Sequence, residues 1–277
     1  MLADVVDALR CPACDGQVHL NGSLRCANGH SFDVARQGYV NLQTGKTPAT
    51  ADTNDMVAAR AEFLAAGHYD EIVNAVAQTA AELVSTAPTP LVVDAGAGTG
   101  YWLAAVLDRM SGGRGLALDS SKYAARRAAR AHRRIGAAVC DTWHRLPVAS
   151  GVASLVLNVF APRNGDEFAR VLRPDGALIV VTPTSDHLGE LVAGCGLLAV
   201  DDRKDARLER SLAEHFTLIG RRAVTTPLRL TPDDIRRLVR MGPSAWHVTE
   251  AELEGRLPAP AAVSATAAVT ISTYHPS

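Results

Sequence analysis

The residues that most constrain the fold of this chain are three closely spaced glycines that follow a short apolar segment. Leu91–Asp94 runs directly into Gly96–Gly100, a segment that reads G-x-G-x-G, and a helical pattern begins at Tyr101. Glycine lets a backbone pass close to a ligand where a side chain would collide. An acid at a strand end, a glycine loop and then a helix together predict a nucleotide-binding βα unit, and therefore an α/β fold.

The spacing of the glycines distinguishes between two kinds of nucleotide. A dinucleotide-binding fingerprint reads G-x-G-x-x-G and holds a pyrophosphate, whereas the loop here is one residue shorter. S-adenosylmethionine has no pyrophosphate, so a tighter loop fits its adenosine and methionine parts. A second apolar segment ends in Asp119, which is placed to accept both ribose hydroxyls. We therefore predict an S-adenosylmethionine site; a nicotinamide enzyme and a purely structural turn are the alternatives. The donor-binding residues predicted from this pattern are Asp94, Gly96, Gly98, Gly100 and Asp119.

Apolar segments alternate with helical patterns along much of the chain. The segments lack polar alternation, which is typical of parallel strands covered by helices on both faces; besides Leu91–Asp94 they are 115–119, 137–140, 153–160 and 177–182. Helical patterns cover 56–66 and about 69–84, before the prolines at 88 and 90. The predicted fold class is α/β, a class I (Rossmann-like) methyltransferase sheet with a small N-terminal zinc-binding module.

The N-terminal residues contain four potential metal ligands in two close pairs. Cys11 and Cys14 form one pair; Cys26 and His30 form the other, after an interval of eleven residues. Asn21-Gly22 lies between them and predicts a hairpin with a type I′ turn, which needs positive φ at both central positions. Three thiolates and one imidazole then close a tetrahedral zinc site with no position for water, so we predict structural zinc. The alternatives are ordinary buried cysteines, or His19 in place of His30.

Composition limits the domain count and the compartment. A chain of 277 residues with 47% hydrophobic content fits one large domain with a small appendage. With 28 basic against 29 acidic side chains there is no overall field for a polyanion, so RNA would be held by local basic patches. Five cysteines, three of them in the first 26 residues, do not resemble a secreted disulfide framework. Since there is neither a basic signal segment nor a membrane-length apolar run, we expect a cytoplasmic protein.

Residues 43–55 are rich in Thr, Ala, Pro and Asp and lack periodicity, which indicates a linker. We predict three parts from this boundary. They are a zinc-binding RNA-recognition module at 1–45, a linker at 46–67, and the methyltransferase domain at 68–277.

Several segments outside these motifs carry a family resemblance. The chain resembles the RlmA-type 23S rRNA (guanine-N1)-methyltransferases over nearly its whole length, at residues 11–14, 26–33, 38–42, 66–69, 94–100, 158–164, 186–188 and 241–246. Asn158-Val-Phe stands before Ala161-Pro162, where another branch has an Arg-Ile-Tyr-like segment, and this favours the tylosin-resistance branch. The resemblance implies zinc on Cys11, Cys14, Cys26 and His30, and donor contacts from Tyr69, Gly98, Thr99 and His187. It also implies a homodimer, and a hairpin loop of 23S rRNA beside the macrolide tunnel as the substrate.

The methyl acceptor requires a further group of residues. Guanine N1 carries a proton that some acceptor must take before N1 is a good nucleophile. Asn158 ends the fourth apolar strand, where this fold presents groups to the acceptor, so we predict that Asn158 and the backbone of 160–162 position the base. Asp141 follows the third strand and is a candidate for the adenine amine. The alternatives are structural: Asn158 bonded to a neighbouring loop, and Asp141 capping a turn. His187 is a less favoured proton acceptor.

The sequence signals for RNA binding are the least specific ones in this chain. Lys122, Arg126, Arg127, Arg130, Arg133 and Arg134 form a run without acids, which indicates either an RNA-binding face or a solvated helix. Trp143, His144, Arg145 and Trp246 could border a splayed base, or the tryptophans could be core. A small-molecule methyltransferase and a zinc-dependent RNA-binding protein without catalysis remain as alternative functions.

Overall fold

The computed structural model describes residues 1–195, 212–242, 245, 247–257 and 262–277. The strands within these ranges are β1 Val18–Asn21, β2 Ser23–Cys26, β3 Ser31–Asp33, β4 Tyr39–Asn41, β5 Leu91–Ala95, β6 Arg114–Asp119, β7 Ile135–Val139, β8 Ala153–Val159, β9 Leu172–Pro183, β10 Phe216–Leu230 and β11 Val263–Pro276. The helices are a 3-10 helix at Leu2–Ala8 and α1 Asn54–Ala65, α2 Asp70–Leu83, α3 Tyr101–Arg109, α4 Lys122–Ala131, α5 Gly165–Val171, α6 Gly189–Cys195, α7 Pro232–Met241 and α8 Glu250–Arg256.

The central sheet has eight strands in the order β10-β11-β9-β8-β5-β6-β7-β4. The strands from β4 to β9 pair in parallel, while β11 is antiparallel to β9 and β10 is antiparallel to β11. The strand order reverses beside β5, and ligands of open α/β sheets bind at the carboxyl ends of the strands at such a switch point. The five predicted apolar strands and the predicted α/β class are confirmed.

Both faces of the sheet are covered, which explains the lack of polar alternation in its strands. Along β5, Val92 belongs to one buried cluster and Val93 to the other, because successive side chains of a strand point to opposite faces. The first cluster also contains α2, α3 and α7, and the second contains the 3-10 helix and α5. The carboxyl edge of the sheet is thereby held between two packed layers.

N-cap residues explain where three of the helices begin. The hydroxyls of Thr53, Ser121 and Thr231 accept backbone N–H groups in the first turns of α1, α4 and α7. The helices predicted at 56–66 and 69–84 are present as α1 and α2. Arg237 of α7 joins α1 through a contact of 3.1 Å between its Nε and Oε2 of Glu62, so α1 is fixed to the C-terminal part of the chain.

The N-terminal residues form an antiparallel sheet of three strands, β1-β2-β3. The hairpin predicted at Asn21-Gly22 is present, with Asn21 opposite Ser23. The predicted type I′ turn is wrong. It requires positive φ at both Asn21 and Gly22, and only Gly22 has one, at 72°. The close Asn21–Ser23 pairing leaves a single residue to reverse the chain.

The zinc module and the methyltransferase sheet are joined more closely than the sequence suggests. β4 pairs with β7 as the edge strand of the central sheet, although it lies within the predicted module at 1–45. The 3-10 helix packs on β7 so tightly that a Cβ on Gly136 would lie 2.3 Å from Val5 Cγ2. The predicted linker, 46–67, contains α1. The three predicted boundaries stay predictions, but the chain crosses them with regular structure.

No helix within the described residues combines the length and the apolar character that a membrane span requires.

Candidate active site and zinc centre

The glycine loop between β5 and α3 is shaped by its protein neighbours. Gly96, Gly98 and Gly100 have φ values of 89°, 54° and 78°, a region that favours glycine. A Cβ on Gly96 would lie 2.4 Å from Ala161 Cβ, and one on Gly100 would lie 2.9 Å from Ala128 Cα. The glycines therefore allow the segment after β8 and helix α4 to approach the loop, in addition to any approach by a ligand.

Asp119 holds this loop from the end of β6. One oxygen of its carboxylate, Oδ2, accepts the Gly98 N–H at 2.8 Å, and Oδ1 accepts the Ser121 N–H at 2.8 Å. Burial raises the pKa of Asp119, and the two N–H donors oppose that rise because they stabilise the charged form. The carboxylate therefore lies beside the loop, where the sequence predicts the ribose hydroxyls.

Asp94 is a buried acid at the end of β5. It is 1% exposed, and its Oδ2 has no hydrogen-bond partner among the described residues. Burial, with the negative charge of Asp119 as a second cause, raises the pKa of Asp94 well above its usual value. A buried acceptor without a partner is costly in a folded protein, so it fits a polar group of a bound ligand. The donor supplies such a group in its methionine ammonium.

An aromatic cluster lies beside the loop. Tyr69, Trp102, Phe160 and His187 have ring centroids 5.8 to 6.4 Å apart in the pairs that touch. Tyr69 and Trp102 are buried, whereas Phe160 is 42% exposed and has a φ of 51°. A bulky residue with this backbone conformation is an outlier that indicates a constrained site. The exposed ring of Phe160 therefore continues the buried cluster to the surface.

Within this cluster, His187 is bonded on both ring nitrogens. Its Nε2 lies 3.2 Å from Tyr69 Oη, and its Nδ1 lies 3.2 Å from the Ala268 nitrogen and 3.1 Å from the Ala268 oxygen. In either neutral tautomer both nitrogens have a partner, because Nδ1 can donate to the carbonyl or accept from the N–H. Burial lowers the pKa of His187 to about 4. His187 is therefore neutral near pH 7, with its ring fixed by Tyr69 and β11.

Asn158 is 1% exposed at the end of β8. Its Nδ2 donates to the carbonyls of Ala95 at 2.9 Å and Pro162 at 2.8 Å, so the amide ties the end of β5 to the segment after β8. Both neighbours are acceptors, which fixes the orientation of the amide. These contacts match the structural alternative, in which Asn158 is bonded to a neighbouring loop. Its Oδ1 is buried and has no hydrogen-bond partner among the described residues.

Asp141 follows β7, one strand further from the aromatic cluster. Its Oδ1 accepts the Trp143 N–H at 3.0 Å, so it caps the turn after the strand, as the structural alternative proposed. Trp143 in that turn is 56% exposed and is not a core residue. Arg145 bonds Asp15 of the zinc module at 2.7 Å. Trp246 lies outside the described residues.

The four predicted zinc ligands come together. Their ligand atoms all lie within 4.8 Å of one another, and among the described residues they form the candidate metal site. Sγ of Cys14 and Sγ of Cys26 are 3.7 Å apart, and His30 Nδ1 is 3.4 Å from Cys26 Sγ. Tetrahedral zinc, with Zn–S bonds of about 2.3 Å, separates two sulfurs by roughly 3.8 Å. The number, type and spacing of these ligands therefore fit zinc.

The surroundings of the cluster also favour a structural zinc site. The Gly16 N–H is the main cause that lowers the pKa of the Cys14 thiol to about 6, which favours the thiolate that binds zinc. His19 lies on β1 outside the cluster, so the alternative ligand is wrong. With three sulfurs and one nitrogen the set is complete, which leaves no coordination position for catalysis.

Comparison with known proteins agrees with this geometry. A family model described as RlmA, N-terminal, a zinc ribbon, matches residues 9–44, and a methyltransferase domain model matches 93–180. A Micromonospora griseorubida protein, provisionally named a 23S rRNA (guanine-N1)-methyltransferase, is 54% identical over 100% of both chains. The 23S rRNA (guanine(748)-N1)-methyltransferase of Streptomyces fradiae is 51% identical over 93% of this chain and 92% of that one. This chain belongs to the RlmA-type 23S rRNA (guanine-N1)-methyltransferase family.

A solved structure supports the fold of this family member. The complex of the Haloferax volcanii Trm112 methyltransferase activator with a provisionally assigned methyltransferase matches at a TM-score of 0.50 and 16% identity, covering 81% of this chain and 99% of that one. The chain is an S-adenosylmethionine-dependent methyltransferase with a zinc ribbon, so both predicted cofactors are confirmed. When bound, S-adenosylmethionine supplies an activated methyl group.

The predicted donor residues of this methyltransferase lie at the carboxyl ends of β5, β6, β7 and β9, with Tyr69 at the start of α2, although their individual roles stay predictions. Sequence reasoning missed Arg60 of α1, which lies over Gly98, because no motif marks a single arginine in a helix. It also misplaced Arg134. Its guanidinium donates to carbonyls at the end of α3 and in the following turn, so it is a structural residue rather than part of a basic face; the acceptors are Leu107, Met110, Gly112 and Gly113.

Proposed function

We propose that this protein transfers a methyl group from S-adenosylmethionine to N1 of a guanine in a hairpin loop of 23S rRNA near the macrolide site, as a cytoplasmic homodimer, and that this gives resistance to tylosin-type macrolides. The proposed guanine is the one that the name of the Streptomyces fradiae relative gives as 748. The observation that carries the proposal is Phe160, an exposed ring held with positive φ at the strand end beside the donor cluster. The identity to both relatives over most of the chain supports the choice of nucleic acid.

The donor is held by residues at the carboxyl ends of four strands, β5, β6, β7 and β9. Asp119 accepts the ribose hydroxyls, and Asp94 faces the methionine ammonium with its free Oδ2. Tyr69 and His187 form the wall beside the methionine part, supported by their mutual contact of 3.2 Å. Asp141 reaches the adenine amine from the turn that it caps, and the remaining contacts come from the loop residues Gly96, Gly98, Thr99 and Gly100.

Phe160 and Asn158 have separate tasks at the acceptor side. The Phe160 N–H donates to the Val181 carbonyl at 3.1 Å, which fixes the backbone while the ring faces outward. An unstacked guanine can stack on this ring, as splayed RNA bases do on aromatic side chains. Asn158 is then a positioning residue, since its amide ties the end of β5 to the segment that carries Phe160.

The N1 proton needs an acceptor other than His187. Both nitrogens of His187 are bonded within the protein, and burial lowers its pKa to about 4, so at neutral pH it is a weak base. The task of His187 is therefore to bind and orient rather than to remove the proton.

Substrate RNA has a basic face available next to the donor loop. Lys122, Arg126, Arg127 and Arg130 are exposed on α4, and no ion pair joins any of them to an acid of the described chain. This face begins at Ser121, beside Asp119, and reaches the zinc module, where a Cβ on Gly38 would lie 3.9 Å from Ala129 Cβ. RNA on this face would therefore contact both parts of the protein, mainly through phosphates.

The test uses 23S rRNA from a strain that lacks this methylation. Treatment with enzyme and S-adenosylmethionine should produce one reverse-transcription stop at the proposed guanine, because a methyl at N1 blocks the Watson–Crick edge. Mass spectrometry of digested nucleosides should show 1-methylguanosine. Phe160→Ala should abolish the stop, while Phe160→Tyr, which keeps the ring, should retain most of it.

Other outcomes test the separate parts of the proposal: the methylated atom, the substrate, the resistance role and the homodimer. Methyl transfer to a different atom of guanine would contradict the proposed chemistry, and turnover with free metabolites but not with rRNA would favour the small-molecule alternative. If the stop is found but the tylosin concentration that inhibits growth does not rise, the resistance role alone is rejected. Light scattering of the purified protein tests the homodimer.

A further inference from the structure

Arg60 lies over the middle of the glycine loop. A Cβ on Gly98 would be 3.3 Å from Arg60 Nη1. The guanidinium therefore lies next to the residue whose N–H donates to Asp119. Gly98 and Thr99 are both buried, although they are predicted to bind a ligand. The arginine side chain is thus part of what covers the donor loop.

The guanidinium of Arg60 is anchored by two other segments. Nη1 forms an ion pair with Asp52, and Nη2 donates to the Met241 carbonyl at the end of α7 at 2.6 Å. Asp52 is itself held close to the donor site, because its carbonyl accepts the Ser121 hydroxyl at 2.7 Å. Arg60 therefore connects the residues before α1, the glycine loop and α7.

Arg60 keeps hydrogen-bonding capacity beyond these anchors. A guanidinium has five N–H donors in a planar fork, and Arg60 uses two hydrogen bonds within the described residues. Its side chain is 25% exposed, so it is partly shielded from water while still reachable. Shielding strengthens a charged hydrogen bond, and the fork geometry matches a carboxylate.

The donor carries a carboxylate that needs a partner. The methionine part of S-adenosylmethionine ends in an ammonium and a carboxylate, and the proposed function assigns the unpartnered Oδ2 of Asp94 to the ammonium. We propose that Arg60 binds the carboxylate of the methionine part of the donor, with Asp52 and the Met241 carbonyl holding its guanidinium in place over Gly98. This rests on the donor assignment in the proposed function and not on the identity of the methylated base.

Calorimetry with two ligands isolates this contact. S-adenosylhomocysteine carries the carboxylate, whereas 5′-methylthioadenosine keeps the adenosine and the thioether but lacks the amino-acid end. Arg60→Gln should weaken S-adenosylhomocysteine binding by about 10- to 100-fold, the range for a hydrogen bond to a charged group, and should change 5′-methylthioadenosine binding less than about 2-fold, since that ligand makes no such bond. Arg60→Lys should recover part of the affinity for S-adenosylhomocysteine because it retains the charge.

Arg237→Gln is the matched control. Arg237 lies on α7 and bonds Glu62, which is on α1 with Arg60. Its contacts with Glu62 and Asp234 do not involve the glycine loop, so its loss should leave the affinity for both ligands unchanged. Equal weakening for both ligands in Arg60→Gln would show a structural role and overturn the proposal, as would unchanged affinity for S-adenosylhomocysteine. If the wild-type protein bound neither ligand, the donor assignment itself would be wrong and the proposal would fail with it.

Discussion

Replacing Gly96 by alanine tests whether packing against the protein, as well as the ligand, requires this glycine. The new Cβ would lie 2.4 Å from Ala161 Cβ on a backbone with φ of 89°. Neither side can move easily, because Gly96 donates to the Leu118 carbonyl at 2.9 Å and Asn158 holds Pro162 at 2.8 Å. The left-handed conformation costs about 1–2 kcal/mol for an alanine, and overpacking adds about 1–3 kcal/mol. We expect Gly96→Ala to lower the free energy of unfolding by about 2–5 kcal/mol.

Gly151→Ala is the control for the backbone contribution. Gly151 also has a positive φ, 64°, but a Cβ there would meet nothing within 4 Å, so it should cost only about 1–2 kcal/mol. Urea unfolding measures both variants. The double variant Gly96→Ala/Ala161→Gly removes the colliding Cβ and should recover the difference between them. Equal destabilisation of Gly96→Ala and Gly151→Ala, or no recovery in the double variant, would refute the packing argument.

Three further predictions concern the zinc site, His187 and helix α4. Metal analysis should find one zinc per chain, and Cys14→Ala should lose it together with rRNA methylation; full methylation by the metal-free protein would contradict a structural role. Burial lowers the pKa of His187 to about 4, so as the pH falls the unfolded state takes up a proton at this histidine before the folded state does. The free energy of unfolding is therefore highest above about pH 6.5 and decreases below it. From pH 7 to pH 5 wild type should lose about 2 kcal/mol more than His187→Gln in urea unfolding, and parallel curves would reject this. Arg126→Glu with Arg130→Glu should weaken rRNA binding and reduce its salt dependence, whereas Arg173→Glu, a charge reversal at the amino end of β9, should not; equal effects would count against the α4 face.

The parts of the fold that the sequence predicts well are those with local causes. β5 and β8 are continuous apolar segments, and the glycine loop needs positive φ at three successive alternate positions. The zinc ligands are close in sequence and are brought together by one hairpin. Each of these features depends on residues within about one supersecondary unit, so the pattern alone determines them.

The parts that the sequence predicts poorly depend on distant contacts. β4 reads as the end of the zinc module, yet its pairing with β7 is set by residues almost a hundred positions away. Arg134 is one of a run of cations, and only the position of α3 shows that it bonds carbonyls there. Arg60 likewise has no local signal, since its partners include Met241, 181 positions further along the chain.

The predicted linker at 46–67 therefore lies against the glycine loop. Its regular element, α1, places Arg60 against Gly98. The Asp52 carbonyl, which precedes α1, accepts the Ser121 hydroxyl, and the Ser121 N–H donates to Asp119. The zinc module is joined to this segment by the chain that follows β4, and it contacts β7 both through β4 and through the 3-10 helix. The zinc module and the glycine loop are therefore connected by covalent and hydrogen-bonded contacts within the chain.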